Sequence, residues 1–288
     1  MSASAVERTN GDFYTYSLET ELEGVQVTGA ITYSFEGTDT ISVEGEEFEV
    51  NVMSISGELE GGVLMITLMT ANVGGTAYET RDGAAQVKTN VVFFANSTLG
   101  TGQFALVRTL VIEISSSYSP PILSDFDPSS TSPGDEWSET VKTTVTNSTW
   151  LNGDLWGDPV TRNLTLEYFI SVASATEDIT TQAGTFECLR IEATNESGDS
   201  MVYWWSSEVG NFVRVHTFSE GDTRPRETLE LTDYRHEEPI NTLLIVAIGG
   251  LVLFVAIVLL ALVLSMMRRK PEEPKAIEPP GNIPPGEP

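Results

Sequence analysis

The stretch TISVEGEEFEVNV, from Thr40 to Val52, carries the pattern that decides the fold. A glycine at position 45 separates two short runs, and apolar residues alternate with polar ones in the second run. Such alternation places one face of a strand against a core, and a glycine between two runs is typical of a hairpin turn. The stretch therefore predicts antiparallel β-structure.

Similar runs recur along most of the chain. They are rich in Val, Ile, Thr, Tyr and Phe, and clusters of Gly, Asn and Asp separate them, as expected of short strands. The predicted strands lie at about 13–19, 24–35, 47–55, 63–70, 86–94, 104–115, 140–146, 160–172, 185–193, 200–206, 212–218 and 228–234. No apolar repeat of helical period appears in residues 11–239. The sequence therefore predicts an all-β protein.

One segment interrupts the strand pattern. Ser117–Glu136, SYSPPILSDFDPSSTSPGDE, contains four prolines and six serines. Proline removes a backbone donor from a β-ladder, so a central strand is not expected here. We interpret residues 117–137 as a linker between a first antiparallel unit, 11–116, and a second, 138–239. The polar residues 1–10 are predicted to form a disordered N-terminus.

The two predicted units look alike. Asp178–Ile191, DITTQAGTFECLRI, aligns with the opening stretch, and in each a turn glycine precedes a strand that opens with phenylalanine. The next hairpins, Ala77–Lys88 and Val202–Arg214, align in the same order. Agreement at two places favours an internal repeat. We therefore expect a tandem pair of related antiparallel units.

The second unit also resembles a known class of β-rich envelope proteins. The resemblance lies in AGTFECLRI, YWWSSEVGNFVRV and LELTDYR, within about 55 residues from Asp178 to Tyr234. It implies open antiparallel half-barrels of the lipoprotein-carrier type, so each unit is expected to be half-barrel or sandwich-like. Its motifs are turn and core residues, and it implies no functional residue.

Residues 240–267 predict a transmembrane helix. Leu243–Met267 carries no charge, and as a helix it would span roughly 37 Å, enough to cross a bilayer. Arg268, Arg269 and Lys270 follow, so the positive-inside rule places residues 1–239 outside and the tail in the cytoplasm. A tail-anchored protein with the opposite topology is the alternative. The proline-rich tail, 268–288, is predicted to be disordered.

The formal net charge of −27 excludes some partners. Nucleic acid and anionic lipid would both repel such a surface. Sequons begin at four asparagines, Asn96, Asn147, Asn163 and Asn195. Together with the acid-rich, arginine-preferring composition, they predict an N-glycosylated cell-surface protein, with an archaeal envelope as the expected setting. The lone cysteine, Cys188, forms no internal disulfide and is expected to be a buried hydrophobe.

The sequence offers no enzyme motif. It lacks a nucleophile elbow, a zinc-protease helix, a phosphate loop and a cysteine–histidine motif. Of its two histidines, His216 is expected at the surface of a strand and His236 beside the membrane. We therefore predict a non-catalytic protein without an organic cofactor.

A calcium site is the sharper of two candidate sites. Its predicted ligands are Asp125, Asp127, Ser129, Thr131 and Glu136. Their spacing matches that of an EF-type loop, but Ser130 stands where the loop needs glycine. An acidic linker without metal is the alternative reading.

The second candidate site is a platform of aromatic side chains. Its predicted members are Trp150, Trp156, Trp204 and Trp205, which offer a surface for a sugar or an apolar ligand. Core packing of the same residues is the alternative. In the membrane segment, small residues at Gly249–Gly250 and Ala261 predict weak homodimerisation, since they let helices approach closely.

The predicted function is a binding or structural role at the cell envelope. The lipid bilayer is the expected partner of residues 240–267, together with an unidentified extracellular ligand or envelope protein. A carrier or sensor for a lipid or other apolar ligand is one alternative. A calcium-stabilised adhesion module is another.

Overall fold

The computed structural model describes residues 8–22, 25–63, 67–81, 85–99, 106–127 and 130–235. These residues form fourteen β-strands: β1 Phe13–Leu22, β2 Val25–Val43, β3 Glu46–Val63, β4 Thr67–Thr80, β5 Gln86–Leu99, β6 Leu106–Ser119, β7 Glu136–Leu151, β8 Asp154–Leu155, β9 Val160–Val172, β10 Glu177–Thr181, β11 Gly184–Asn195, β12 Ser200–Ser206, β13 Asn211–Phe218 and β14 Glu227–Arg235. The all-β prediction is confirmed. No helix among the described residues is long and apolar enough to cross a membrane. The predicted span at 240–267 and the tail at 268–288 lie outside them.

Twelve of the strands close into one antiparallel barrel. The order around it is β11-β12-β13-β14-β1-β2-β3-β4-β5-β6-β7-β9, and β9 pairs with β11 to close the ring. The expected open half-barrel is therefore wrong. Its two edges would have to remain unpaired, whereas β1 pairs with β14 and β9 pairs with both of its neighbours. Strands from both predicted units belong to this barrel.

The two ends of the barrel are distinguished by where the chain enters and leaves. We call end A the end at which β1 begins at Phe13 and β14 finishes at Arg235, and end B the opposite end. Because neighbouring strands are antiparallel, the connection between β6 and β7 lies at end A. The turn between β11 and β12 lies at end B.

The alternation of side chains fills the interior. On β1, Tyr14, Tyr16 and Leu18 are at most 1 % exposed, and the residues between them face outward. The same alternation on the other strands places most of their buried apolar residues in one core, and Val43, Val50 and Val87 form a separate small cluster at end A. The hydroxyl of Tyr16 donates a hydrogen bond across this core to the carbonyl oxygen of Phe212 at 3.1 Å. The barrel interior is therefore packed with side chains.

At two inward-facing glycines, Gly57 and Gly75, the backbone of a neighbouring strand approaches closely. A Cβ at Gly57 would overlap the carbonyl oxygen of Ala30, and one at Gly75 would overlap the carbonyl oxygen of Asn90. Only glycine lets the backbones of neighbouring strands approach so closely, and glycine kinks of this kind curve a sheet into a barrel.

The predicted linker closes end A. Its first residues extend β6 and its last residues begin β7, and the part between them folds inward. Leu123 and Phe126 are buried in the core, where the ring of Phe126 lies 6.2 Å from that of Trp205 and 6.3 Å from that of Phe212. This segment therefore acts as a plug that covers the core at end A.

One carboxylate holds the plug in place. Glu139 of β7 accepts backbone N–H groups from Leu123 at 2.8 Å and Asp125 at 3.0 Å, and the indole N–H of Trp137 at 2.9 Å. Burial raises the pKa of Glu139, although these three hydrogen bonds oppose the shift. The carboxylate thus replaces the water that these donors would otherwise bind.

Candidate functional site

A cluster of buried polar side chains lies inside end A. The chain enters the barrel through a tight turn, in which the Thr9 N–H donates to the Asp12 carboxylate at 3.0 Å. The Phe35 N–H donates to the Asp12 carbonyl at 2.9 Å and ties this turn to β2. The turn directs Arg8 inward, where its guanidinium carbon lies 4.8 Å from the ring centroid of Tyr14. Arg8 is only 8 % exposed.

Glu79 is the acidic member of this cluster. It lies opposite Asn51 in the pairing of β3 with β4 and is 3 % exposed. Burial raises the pKa of Glu79 to about 7, and the positive charge of Arg8 opposes the shift. No described residue hydrogen bonds to the guanidinium nitrogens of Arg8 or to Oε2 of Glu79. Buried charges without such partners are costly, so this cluster is sensitive to protonation near neutral pH.

A second buried carboxylate lies near end B. Glu227 stands between Thr20 of β1 and Thr217 of β13 in the strand pairing, and it is 1 % exposed. Neither of its carboxylate oxygens accepts a hydrogen bond among the described residues. Burial raises the pKa of Glu227 well above its usual range, against the opposing charge of Arg226. The environment therefore favours the protonated acid.

The outer face carries a third polar cluster, where the β10–β11 hairpin meets β12 and β13. The Trp204 indole N–H donates to the Glu177 carboxylate at 3.0 Å, and Arg214 forms an ion pair with Glu230. The ring of His216 lies 4.9 Å from that of Trp204. Burial, and then the charge of Arg214, lower the pKa of His216 to about 4, so the imidazole is neutral at physiological pH. The cluster packs the hairpin onto the barrel.

The predicted calcium ligands lie in the plug and at the start of β7, and their role as ligands stays a prediction. Asp125, Asp127, Thr131 and Glu136 are described, and Ser129 lies outside the described residues. The Asp127 carboxylate accepts the hydroxyl of Ser130 at 2.9 Å, and Glu136 is the first residue of β7. Among the described residues, no group of three or more His, Cys, Asp or Glu side chains is placed to hold a metal ion.

The four tryptophans of the predicted platform separate into two places. Trp150 and Trp156 lie at end B. There Trp150 pairs with Leu155 in the β7–β8 ladder, and the backbone N–H of Trp156 donates to the carbonyl oxygen of Thr149 at 2.7 Å. Trp204 and Trp205 lie on β12 near end A and are 8 % and 4 % exposed. The four tryptophans therefore do not form one aromatic surface.

The predicted glycosylation sites differ in exposure. Asn163 is exposed on β9, and Asn147 of β7 is half-buried. The side-chain oxygen of Asn195 accepts the N–H groups of Ser197 at 2.9 Å and Asp199 at 3.0 Å, so it shapes the β11–β12 turn. Asn96 lies in β5. On exposure, Asn163 is the most accessible of the three described side chains.

Cys188 is buried, as expected from the sequence. It is 1 % exposed, and burial raises the pKa of its thiol to about 12. A nucleophilic cysteine needs the opposite shift, because the thiolate is the reactive form.

Comparisons with protein-family models, with curated proteins and with solved structures found no match for this chain. The resemblance to lipoprotein carriers therefore gains no support from relatives. What the structure does support is the coarser class, a β-rich domain built from antiparallel strands.

The sequence analysis missed the buried charges. Arg8 falls in the stretch predicted to be disordered, and Glu139 and Glu227 stand among many other acids. Glu79 had a usable signal, because it shares a strand face with Ala77, which is 1 % exposed. An acid on the apolar face of a strand indicates a buried carboxylate.

Proposed function

We propose that this is a non-catalytic, single-pass membrane protein whose barrel stands outside the cell and has a binding or structural role at the envelope. The observation that carries the proposal is the place where the chain leaves the barrel. β14 ends at Arg235 at end A, and the uncharged stretch begins at Leu243. The seven intervening residues span at most about 25 Å, so end A would face the bilayer and end B would face away.

The surface and the interior of the barrel both support this role. Outward side chains such as Thr15, Ser17 and Glu19 suit contact with water. Inside, the buried carboxylates Glu79 and Glu227 lie among packed side chains. A catalytic group must reach its substrate, and burial of this kind does not favour that.

The alternative functions receive less support. A lipid carrier needs an open, apolar-lined concavity, whereas inward side chains such as Tyr14 and Ile112 are fully buried. A calcium-stabilised module needs converging oxygen ligands, and Asp127 is instead hydrogen-bonded to its neighbour Ser130. We therefore retain the binding or structural role.

Cysteine labelling in intact cells tests the topology. Cys188 is buried, so the wild-type protein is expected to remain unlabelled. Each of two variants adds one reactive thiol: Thr223→Cys on an exposed loop at end B, and Lys275→Cys in the tail. A membrane-impermeant maleimide should label Thr223→Cys in intact cells and Lys275→Cys only after permeabilisation. The reverse pattern would overturn the proposed orientation, and labelling of both in intact cells would overturn the membrane anchor.

A further inference from the structure

One strand of the closed barrel has an edge that is only partly paired within the described part of the chain. β9 pairs with β7 along residues 160–171, but its other edge pairs with β11 only at residues 168–172. No described strand pairs with that edge at residues 160–167. A free edge presents unpaired N–H and C=O groups and is a template for an added strand. This eight-residue edge would match a partner segment of about 27 Å.

Apolar side chains are exposed along the same edge. Val160 is 53 % exposed and Leu164 is 44 % exposed. Val160 and Leu164 lie on the same face of β9 as Tyr168 and Ile170, which face the core. The inner face of β9 thus continues beyond the closed part of the barrel, with Val160 and Leu164 uncovered on either side of the exposed Arg162. A strand added beside it would cover them.

Acidic residues lie beside the point where the free edge begins. Tyr168 pairs with Asn195, so the turn at 196–199 follows directly, and it contains Glu196 and Asp199. The Glu220 N–H donates to the Asp199 carboxylate at 3.2 Å, which brings a third acid to this turn. Glu167 adds a fourth acid on β9 itself.

These four acids make no ion pair with any described residue. The described ion pairs join Arg81 to Glu49, Arg190 to Glu192 and Arg214 to Glu230. Within residues 160–167 of β9, Arg162 is the only base. The notch between β9 and the β11–β12 turn therefore combines backbone groups that no described strand pairs with, uncovered apolar side chains and an excess of acids over bases.

We propose that the free edge of β9 binds an extended, cationic segment of a partner protein as an added β-strand. This inference deepens the binding role proposed above and rests on it. The partner backbone would hydrogen bond to residues 160–167, its apolar side chains would cover Val160 and Leu164, and its bases would face Glu196 and its neighbours. A second copy of this chain fits less well, because each copy carries a net charge of −27.

Peptide binding to the full-length protein in detergent, with and without N-glycans, tests the proposal. Both forms are expected to bind, because Asn163 lies on the opposite face of β9 from Val160 and Leu164 and its amide oxygen accepts the hydroxyl of Thr144 on the β7 side. The probe is a fluorescent peptide in which valine and lysine alternate over about ten residues, to match the edge. Its controls are a peptide with the same composition in two blocks and one that alternates valine with glutamate. We expect only the alternating cationic peptide to bind. Its binding should slow backbone hydrogen exchange of the protein at residues 160–167 and should leave exchange unchanged at the other strand edge, residues 177–181 of β10.

Two charge-matched variants sharpen the test. Glu196→Lys should weaken binding about tenfold, while Glu47→Lys, at an exposed position on the β2–β3 hairpin at end A, should leave it unchanged. An equal loss of peptide affinity in both variants would show that the peptide is attracted only by the overall charge of the protein, and would overturn the proposal. Hydrogen-exchange protection at other residues, or the absence of peptide binding, would overturn it as well. Dimerisation that Leu164→Glu abolishes would assign the edge to a second copy instead. Cysteine labelling reports the topology separately, so the two proposals can fail independently.

Discussion

At the scale of single residues, Glu79 gives the barrel a specific dependence on pH. Its pKa is about 7 in the folded protein, against 4.5 for a free glutamate. Between these values the folded chain holds a proton that the unfolded chain has lost. This contribution to stability is therefore fully present below pH 4.5 and is lost as the pH rises through 7. Its full size is roughly 3 kcal/mol.

Glu79→Gln tests this contribution, because glutamine stays neutral at every pH. We expect the variant to have a higher free energy of unfolding than the wild type at pH 8 and a weaker dependence on pH between 4.5 and 7. Urea unfolding at several pH values measures both quantities. Glu47→Gln, at an exposed position, controls for the change in overall charge. Equal pH dependence in wild type and Glu79→Gln would show that Glu79 is not the group responsible.

Residue types alone predicted some side-chain environments and not others. Cys188 was expected in the core because thiols are small and apolar, and it is buried there. Trp204 and Trp205 were expected either in an exposed platform or in the core, and their rings lie beside those of His216 and Phe126 respectively. The burial of Arg8 was not predictable, because it depends on a turn that inserts the side chain between distant strands.

At the scale of strands and turns, the alternation of apolar and polar residues predicted most strands, but several predicted ranges are shorter than the observed strands. β2 was expected at 24–35 and extends to Val43, because its polar second half pairs with the first half of β3. The short strands β8 and β10 were missed, since neither has enough residues to show an apolar period. The two hairpins predicted to be repeats are β2–β3 and β10–β11, and each has a glycine with positive φ, Gly45 and Gly184. The duplication itself stays a prediction.

The prolines between β6 and β7 predicted the absence of a strand but not the packing of the segment. They correctly excluded a central strand there, since none of the described residues 120–127 and 130–135 belongs to a strand. The same composition was read as a linker, yet Leu123 and Phe126 enter the core. An apolar residue within a proline-rich segment has no periodicity to reveal its burial, so its packing was not predictable.

The glycine kinks are the element-scale feature most open to experiment, because Gly74 and Gly75 are neighbours on one strand. A Cβ at Gly75 would overlap the carbonyl oxygen of Asn90, whereas one at Gly74 would have no atom closer than 3.9 Å. We expect Gly75→Ala to lower the free energy of unfolding by roughly 2–3 kcal/mol, as an overpacked site does. Gly74→Ala should change it by less than about 1 kcal/mol. Similar effects of the two substitutions in urea unfolding would contradict the kink.

At the scale of the whole molecule, the closed ring depends on contacts that no local pattern contains. β1 pairs with β14, so Tyr14 meets Tyr234 from the other end of the described chain. β9 joins β11 through a short pairing that completes the circle. The sequence contains the strands, but their closure depends on pairing partners far apart in the chain, so no local pattern contradicted the open half-barrels that the resemblance implied.

A closed ring should unfold as one unit, and the placement of the tryptophans makes this measurable. Four of the five tryptophans lie in the second predicted unit, and Trp137 is the last residue of the predicted linker, while far-ultraviolet circular dichroism reports strands throughout the chain. In urea, with the full-length protein in detergent, we expect the two signals to have the same midpoint. Gly75→Ala lies in the first predicted unit, on β4. It should shift both midpoints equally, because loss of β4 opens the ring that the tryptophans belong to. A shift seen by circular dichroism alone, with tryptophan fluorescence unchanged, would show two independently folding units instead of one barrel.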